Sequence, residues 1–116
     1  MNLSTFSPSK QPSVRSITPV ELAGLATRPR IIDVREAAEY TGELGHIRGA
    51  ELVPLATLET ASRHWTKQEP LVIACRSGAR SARGAAMLIA LGFRKILNLE
   101  GGTLAHVNAG LPTERQ

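Results

Sequence analysis

The stretch that decides the fold is LVIACRSGARS, residues 71–81, with its helical continuation to Leu91. Residues 71–74 form a short apolar run, which is typical of a strand buried on both faces. Small and apolar residues then recur at helical spacing from Arg80 to Leu91, and Gly92 is placed to end that helix. The pattern predicts a strand, a tight loop and a helix, with Cys75, the only cysteine of the chain, at the turn.

A cysteine at the start of a helix is a candidate nucleophile. The first N–H groups of a helix have no intrahelical partner and favour an anion in front of them. We therefore expect the helix end, together with Arg76 and Arg80, to push Cys75 toward the thiolate at neutral pH. Gly78 supplies the backbone freedom that a loop curled around one sulfur atom needs. The candidate ligand-binding residues of this loop are Arg76, Ser77, Gly78, Ala79, Arg80 and Ser81.

Length and composition predict one ordinary globular domain. The chain has 116 residues, of which 42% are hydrophobic and 21% charged. The net charge of +4 is spread along the chain and aromatic residues are only 3%, so we expect no nucleic-acid partner. One cysteine cannot form an internal disulfide, which suits a reducing compartment. The sequence has no apolar run of membrane-spanning length and no secretory signal, so we expect a cytoplasmic protein without a membrane partner.

Strands and helices alternate along the rest of the chain. Residues 1–16 are predicted to be a mobile N-terminal arm, and residues 17–116 the folded domain. Ile17 is a candidate edge strand, and the capping box of residues 18–21 begins a helix that reaches about Ala26. Further strands are predicted at residues 30–34, 51–53 and 95–99. Further helices are predicted at residues 35–40, 55–65 and 103–109, and the first of these has Asp33 as its acidic cap. This alternation predicts an α/β fold with a mainly parallel central sheet and helices on both faces.

Six motifs in this order carry a family resemblance: IIDVRE at residues 31–36, EY at 39–40, GHIRGA at 45–50, CRSGAR at 75–80, LEGG at 99–102 and AGLP at 109–112. With them the chain resembles a single rhodanese-like domain, a sulfurtransferase fold, over residues 17–112. The resemblance implies that Cys75 accepts sulfur as a persulfide and that residues 75–80 form the anion pocket. Arg48 stands where family members often have proline, and His106 where a tryptophan usually follows the double glycine.

The loop length separates two chemistries. Arg80 follows Cys75 after four residues, one fewer than in phosphatases of a similar fold. The shorter ring favours a cradle for a terminal sulfur over phosphatase or arsenate reductase activity. We therefore expect a thiosulfate sulfurtransferase without a cofactor, in which sulfur passes from thiosulfate or a related anionic donor to cyanide, a small thiol or a protein thiol. A persulfide carrier or redox-sensing module that acts on a partner protein remains the alternative.

Other polar residues near the predicted strand ends have structural explanations. Asp33 and Arg35 are expected to form a cap and an ion pair, and His46 a hydrogen bond that locks its loop. Whether these three side chains enter the site stays open. The histidines share no metal-ligand spacing with one another or with Cys75, so we predict no metal site.

Overall fold

The structure, a computed structural model, describes residues 14–116. Its strands are β1 (Arg15–Ile17), β2 (Arg30–Asp33), β3 (Glu51–Leu52), β4 (Leu71–Ala74) and β5 (Ile96–Leu99). Its α-helices are α1 (Pro19–Ala23), α2 (Ala37–Tyr40), α3 (Leu58–Ala61), α4 (Ala79–Ala90) and α5 (Gly102–Asn108). The five strands pair in the order β1-β5-β4-β2-β3, and each pairing is parallel. The predicted α/β class and parallel sheet are confirmed.

The sheet is buried on both faces, as the apolar runs of its strands require. Successive side chains of a strand point to opposite faces, and β4 accordingly contributes Val72 to one apolar cluster and Ile73 to the other. Leu88 of α4 packs with Ile73, whereas Leu22 of α1 packs with Val72. Helices therefore cover both faces, as predicted.

The amino-terminal end of the domain differs from the prediction by two residues. Arg15 and Ser16, which we assigned to the arm, pair with Leu97 and Asn98 of β5, so the sheet begins before Ile17. The rest of the predicted arm, residues 1–13, lies outside the described residues. The capping box of α1 is present, with the Thr18 hydroxyl accepting a hydrogen bond from the Glu21 N–H, but the helix ends at Ala23 rather than near Ala26.

The helix predicted for residues 55–65 is instead three short helical turns. A 3₁₀ turn at Leu55–Thr57 precedes α3, and another at Ser62–His64 follows it. Hydroxyl groups explain the tightening, because Thr57 donates back to the Pro54 carbonyl and Ser62 to the Glu59 carbonyl, three residues earlier in each case. Helix α2 begins after Glu36 and not after Asp33, since Glu36 and Glu39 form its capping box.

No helix within residues 14–116 is both long enough and apolar enough to cross a membrane. The longest, α4, has 12 residues, fewer than the roughly 20 that a bilayer core requires. Its main structural role is to cover the sheet beside β4 and β5.

Candidate active site

Cys75 follows the last residue of β4, at the carboxyl end of the sheet where ligands of parallel α/β folds bind. The chain then turns through residues 76–78 into α4, with Gly78 at the N-cap. Gly78 has a φ of 108°, a backbone conformation that favours glycine. The predicted sequence of strand, tight loop and helix is therefore present, and Cys75 itself is buried.

The sulfur of Cys75 lies within hydrogen-bond distance of donors from the loop. The Gly78 N–H donates to Sγ at 3.0 Å, and the Ser81 hydroxyl oxygen lies 3.3 Å from Sγ. Burial raises the pKa of the Cys75 thiol, but hydrogen bonds from the Ser81 hydroxyl and from the N–H groups of Ser81, Gly78 and Ser77 outweigh it, so the pKa is lowered. The site therefore favours the thiolate: burial is the largest single effect on the pKa of Cys75, but the hydrogen bonds together outweigh it.

The start of α5 supports the loop from behind. The Thr103 N–H donates to the Cys75 carbonyl at 2.8 Å, and the Leu104 N–H to the Arg76 carbonyl at 3.0 Å. Gly102 makes this approach possible, because a β-carbon there would lie 2.4 Å from the Arg76 carbonyl oxygen. Gly102 is thus required by the packing of the Cys75 loop, whereas a β-carbon on Gly101 would meet Ala105 of α5 instead.

Arg80 is held by a carboxylate that the sequence analysis did not place in the site. Its guanidinium donates to both oxygens of Glu39 in α2, at 2.7 and 2.8 Å. The hydrogen bond from Arg80 lowers the pKa of Glu39 to about 2. The pair spans 41 residues of sequence; the only sequence signal for it was that Glu39 belongs to a family motif. Arg80 thus lies beside the loop, as expected, but its guanidinium is already ion-paired with Glu39.

Two clefts flank the loop. One of about 150 Å³ lies between Arg76 and the segment that follows α2, with Arg35 and Leu44 in its wall. The other, of about 450 Å³, is lined by Arg80 and Arg83 of α4 and by Leu55 and Met87. A groove of about 650 Å³ lies at the opposite end of the strands beside Arg30, Leu71 and Ile96, too far from the sulfur to hold a reacting group.

Arg76 and Ser77 are exposed at the mouth of the loop. Arg76 forms no ion pair within residues 14–116, in contrast to Arg80. Ala79 is also exposed and begins α4, while Ser81 is fully buried behind the sulfur. The structure therefore brings Ser77, Gly78 and Ser81 to the Cys75 sulfur, whereas Arg76 and Arg80 line separate clefts on either side of the loop.

Asp33, Arg35 and His46 have mainly structural contacts. Arg35 is buried, pairs with the Asp33 carboxylate at 2.8 Å and donates to the Gly45 carbonyl at 2.7 Å. The predicted ion pair is confirmed, whereas the predicted helix cap is wrong because Asp33 accepts from the Arg35 N–H instead. The His46 ring stacks on Tyr40 at 3.6 Å and its Nδ1 bonds to the Tyr40 carbonyl at 2.9 Å, so the loop-locking role is confirmed.

Asn98 is a polar neighbour of the sulfur that sequence reasoning missed. Its Oδ1 accepts from the Ser81 hydroxyl at 2.5 Å, and its Nδ2 donates to the Gly78 carbonyl at 3.3 Å. The available signal was a buried polar residue within the otherwise apolar run of β5. Elsewhere in the described part of the chain, no group of three or more His, Cys, Asp and Glu side chains is arranged to hold a metal ion.

Comparison with known proteins agrees with this geometry. A family model for the rhodanese-like domain matches residues 18–109. A sulfurtransferase of Allochromatium vinosum is 37% identical over 82 residues, which cover 71% of this chain and 75% of that protein. Thiosulfate sulfurtransferase 16 of Arabidopsis thaliana is 31% identical, with 91% of this chain and 96% of the relative covered. The uncharacterized protein slr1261 of Synechocystis is 39% identical, but the matched part of this chain spans only 45% of its length.

A solved structure shows the same fold. The rhodanese-like domain protein of Staphylococcus aureus superposes with a TM-score of 0.74 and 35% identity, covering 87% of this chain and 99% of that one. The names of the relatives support a general sulfurtransferase role. With the family model matching residues 18–109, the chain belongs to the rhodanese-like domain family.

Proposed function

We propose that this protein is a thiosulfate-type sulfurtransferase that carries sulfur on Cys75. The observation that supports it best is the position of Sγ, 3.0 Å from the Gly78 nitrogen and 3.3 Å from the Ser81 hydroxyl at the start of α4. These donors stabilise a thiolate, the reactive form of cysteine. The loop closes around a single sulfur atom, which suits a terminal sulfur better than a phosphate ester.

The reaction needs no external oxidant. The Cys75 thiolate attacks the outer sulfur of thiosulfate, a new sulfur–sulfur bond forms, and the old bond breaks with its electron pair leaving on sulfite. A thiophilic acceptor, such as cyanide, a small thiol or a protein thiol, then attacks the outer sulfur and returns Cys75 to the thiolate. Because Cys75 attacks as the thiolate and the acceptor attacks as cyanide or as a thiolate that has already lost its proton to solvent, neither step requires a general base beside the cysteine.

The loop residues have distinct roles in this proposal. Backbone N–H groups of residues 76–81 stabilise the negative outer sulfur of the persulfide, as oxyanion holes stabilise oxygen. Arg76, exposed and free of a carboxylate partner among the described residues, attracts the dianionic donor. Arg80 orients the donor only when Glu39 releases part of its bidentate contact. Gly78 allows the turn, Ala79 keeps the entrance free of bulk and Ser81 supports Sγ.

The test is intact-mass spectrometry of the purified protein before and after thiosulfate, with and without cyanide. A gain of one sulfur, about 32 Da for a persulfide, that cyanide removes would support the proposal. Cys75→Ser is the matched control and should gain nothing. Absence of any gain with thiosulfate, together with release of phosphate from an aryl phosphate or reduction of arsenate, would overturn it. Efficient loading followed by transfer only to one protein thiol would instead identify a sulfur carrier.

A further inference from the structure

The Ser81 hydroxyl has more acceptors than it can serve. Its oxygen lies 2.5 Å from Asn98 Oδ1, 3.2 Å from the Gly78 carbonyl and 3.3 Å from Cys75 Sγ. A hydroxyl carries one proton and donates one full hydrogen bond at a time. Ser81 and Cys75 are almost completely buried and Asn98 nearly so, so bulk water does not settle the competition. The three acceptors therefore compete for one proton, and the charge on the sulfur is one of the factors that determine which acceptor receives it.

The Gly78 carbonyl orients the Asn98 amide. Nδ2 lies 3.3 Å from this oxygen, so Oδ1 is directed at the Ser81 hydroxyl. Turning the amide over would place two acceptor oxygens against each other at the Gly78 carbonyl. That carbonyl also accepts the Ala82 N–H at 3.0 Å, so loss of the amide leaves it hydrogen-bonded. Asn98 is thus fixed as a competing acceptor without being needed to satisfy the loop backbone.

Sulfur loading changes where the charge lies. In the free enzyme a thiolate Sγ is negative and attracts the Ser81 proton. In a persulfide Sγ is a neutral divalent sulfur, and the negative charge lies on the outer atom in front of the loop N–H groups. The Ser81 proton then gains more from Asn98 than from Sγ, because an amide oxygen is the better acceptor for a neutral hydroxyl.

We infer that Asn98 is a positioning residue of the sulfur-transfer site: it takes the Ser81 proton when Cys75 carries sulfur and competes with Sγ for it when Cys75 is free. The competition with Sγ follows from the described contacts alone, whereas the effect on the sulfur-loaded form rests on the proposed function. Asn98 thereby shifts the balance from the free thiolate toward the persulfide. It acts through Ser81 and contacts neither donor nor acceptor.

The test uses Asn98→Val, which suits a strand and has no polar group, and Asn98→Asp, which keeps the side-chain shape. Because Cys75 is the only cysteine, ultraviolet absorbance of the thiolate reports its titration directly. We expect Asn98→Val to lower the Cys75 pKa by about half a unit to one unit, the equivalent of one hydrogen bond. Asn98→Asp should raise it, because a carboxylate holds the Ser81 proton more strongly and repels the thiolate. Asn108→Asp, at an exposed position of α5, controls for the added charge.

The Ser81→Ala background separates positioning from structure. If Asn98 acts through Ser81, Asn98→Val changes the Cys75 pKa in the otherwise native protein. In a protein that already carries Ser81→Ala, adding Asn98→Val leaves the Cys75 pKa unchanged. Equal shifts in both backgrounds, or no shift in either, would overturn the inference. In a second measurement, titration with sulfite should show that Asn98→Val reduces the ratio of loaded to free enzyme by about threefold to tenfold. An unchanged ratio would overturn the persulfide half of the inference, whereas failure of every variant and of the native protein to load sulfur would refute the proposed function instead.

Discussion

Replacing Gly102 with alanine tests how closely the nucleophile loop is packed against α5. The added β-carbon would lie 2.4 Å from the Arg76 carbonyl oxygen and 2.5 Å from the Cys75 carbonyl oxygen. Ordinary contacts are close to 3.5 Å, so the loop must move by about 1 Å. Gly102 also has a φ of 66°, where an L side chain costs roughly 1–2 kcal/mol. Overpacking adds about 1–3 kcal/mol, so we expect a total loss of about 2–5 kcal/mol of unfolding free energy.

Gly110→Ala is the matched control for this prediction. Gly110 has a φ of 80°, but a β-carbon there meets no atom of the described residues within 4 Å. The Gly110→Ala variant should therefore lose only roughly 1–2 kcal/mol of unfolding free energy, the cost of backbone strain alone. Urea unfolding gives both free energies, and persulfide formation at Cys75 gives the functional effect. Because a displacement near 1 Å costs on the order of a hundredfold in rate, Gly102→Ala should load sulfur far more slowly than Gly110→Ala. Equal stability and equal loading rates for the two variants would refute the reasoning.

Three further predictions concern the polar groups around the site. Ser81→Ala removes the hydroxyl that helps to lower the pKa of Cys75, so the pH profile of persulfide formation should move to higher pH. An unmoved profile would contradict the stabilisation of the Cys75 thiolate by Ser81. Glu39→Gln frees Arg80 and should lower the KM for thiosulfate. The substitution should cost about 0.2–1 kcal/mol of stability, since both side chains are about one-third exposed. The native pair stabilises the fold above pH 4.5 and loses that contribution as pH falls toward about 2, which acid unfolding of the native protein and of the variant would measure. Asp33→Asn leaves Arg35 buried without its counter-charge, so thermal unfolding should show a loss of about 3–5 kcal/mol, and a loss below about 1 kcal/mol would disprove the role of the pair.

Local patterns were sufficient for the parts of the fold that depend on neighbouring residues. The apolar run of β4, the glycine at the helix start and the helical spacing of α4 lie within 20 consecutive residues, Leu71–Ala90. Their meaning follows from strand and helix periodicity. Local reasoning failed where side chains compete with the backbone. The hydroxyls of Thr57 and Ser62 tighten their turns into 3₁₀ geometry, although the apolar spacing of this segment is helical.

The sequence alone determined the α/β class, the parallel sheet and the position of the single cysteine at the start of a helix, because these depend on periodicity and on chemistry within one loop. Only the tertiary structure decided which distant groups surround that cysteine. Glu39 reaches Arg80 across 41 residues, and Asn98 reaches Ser81 across 17. Such contacts follow from the order of strands in the sheet and from the direction of each side chain. No local pattern in the sequence specifies which side chains meet there.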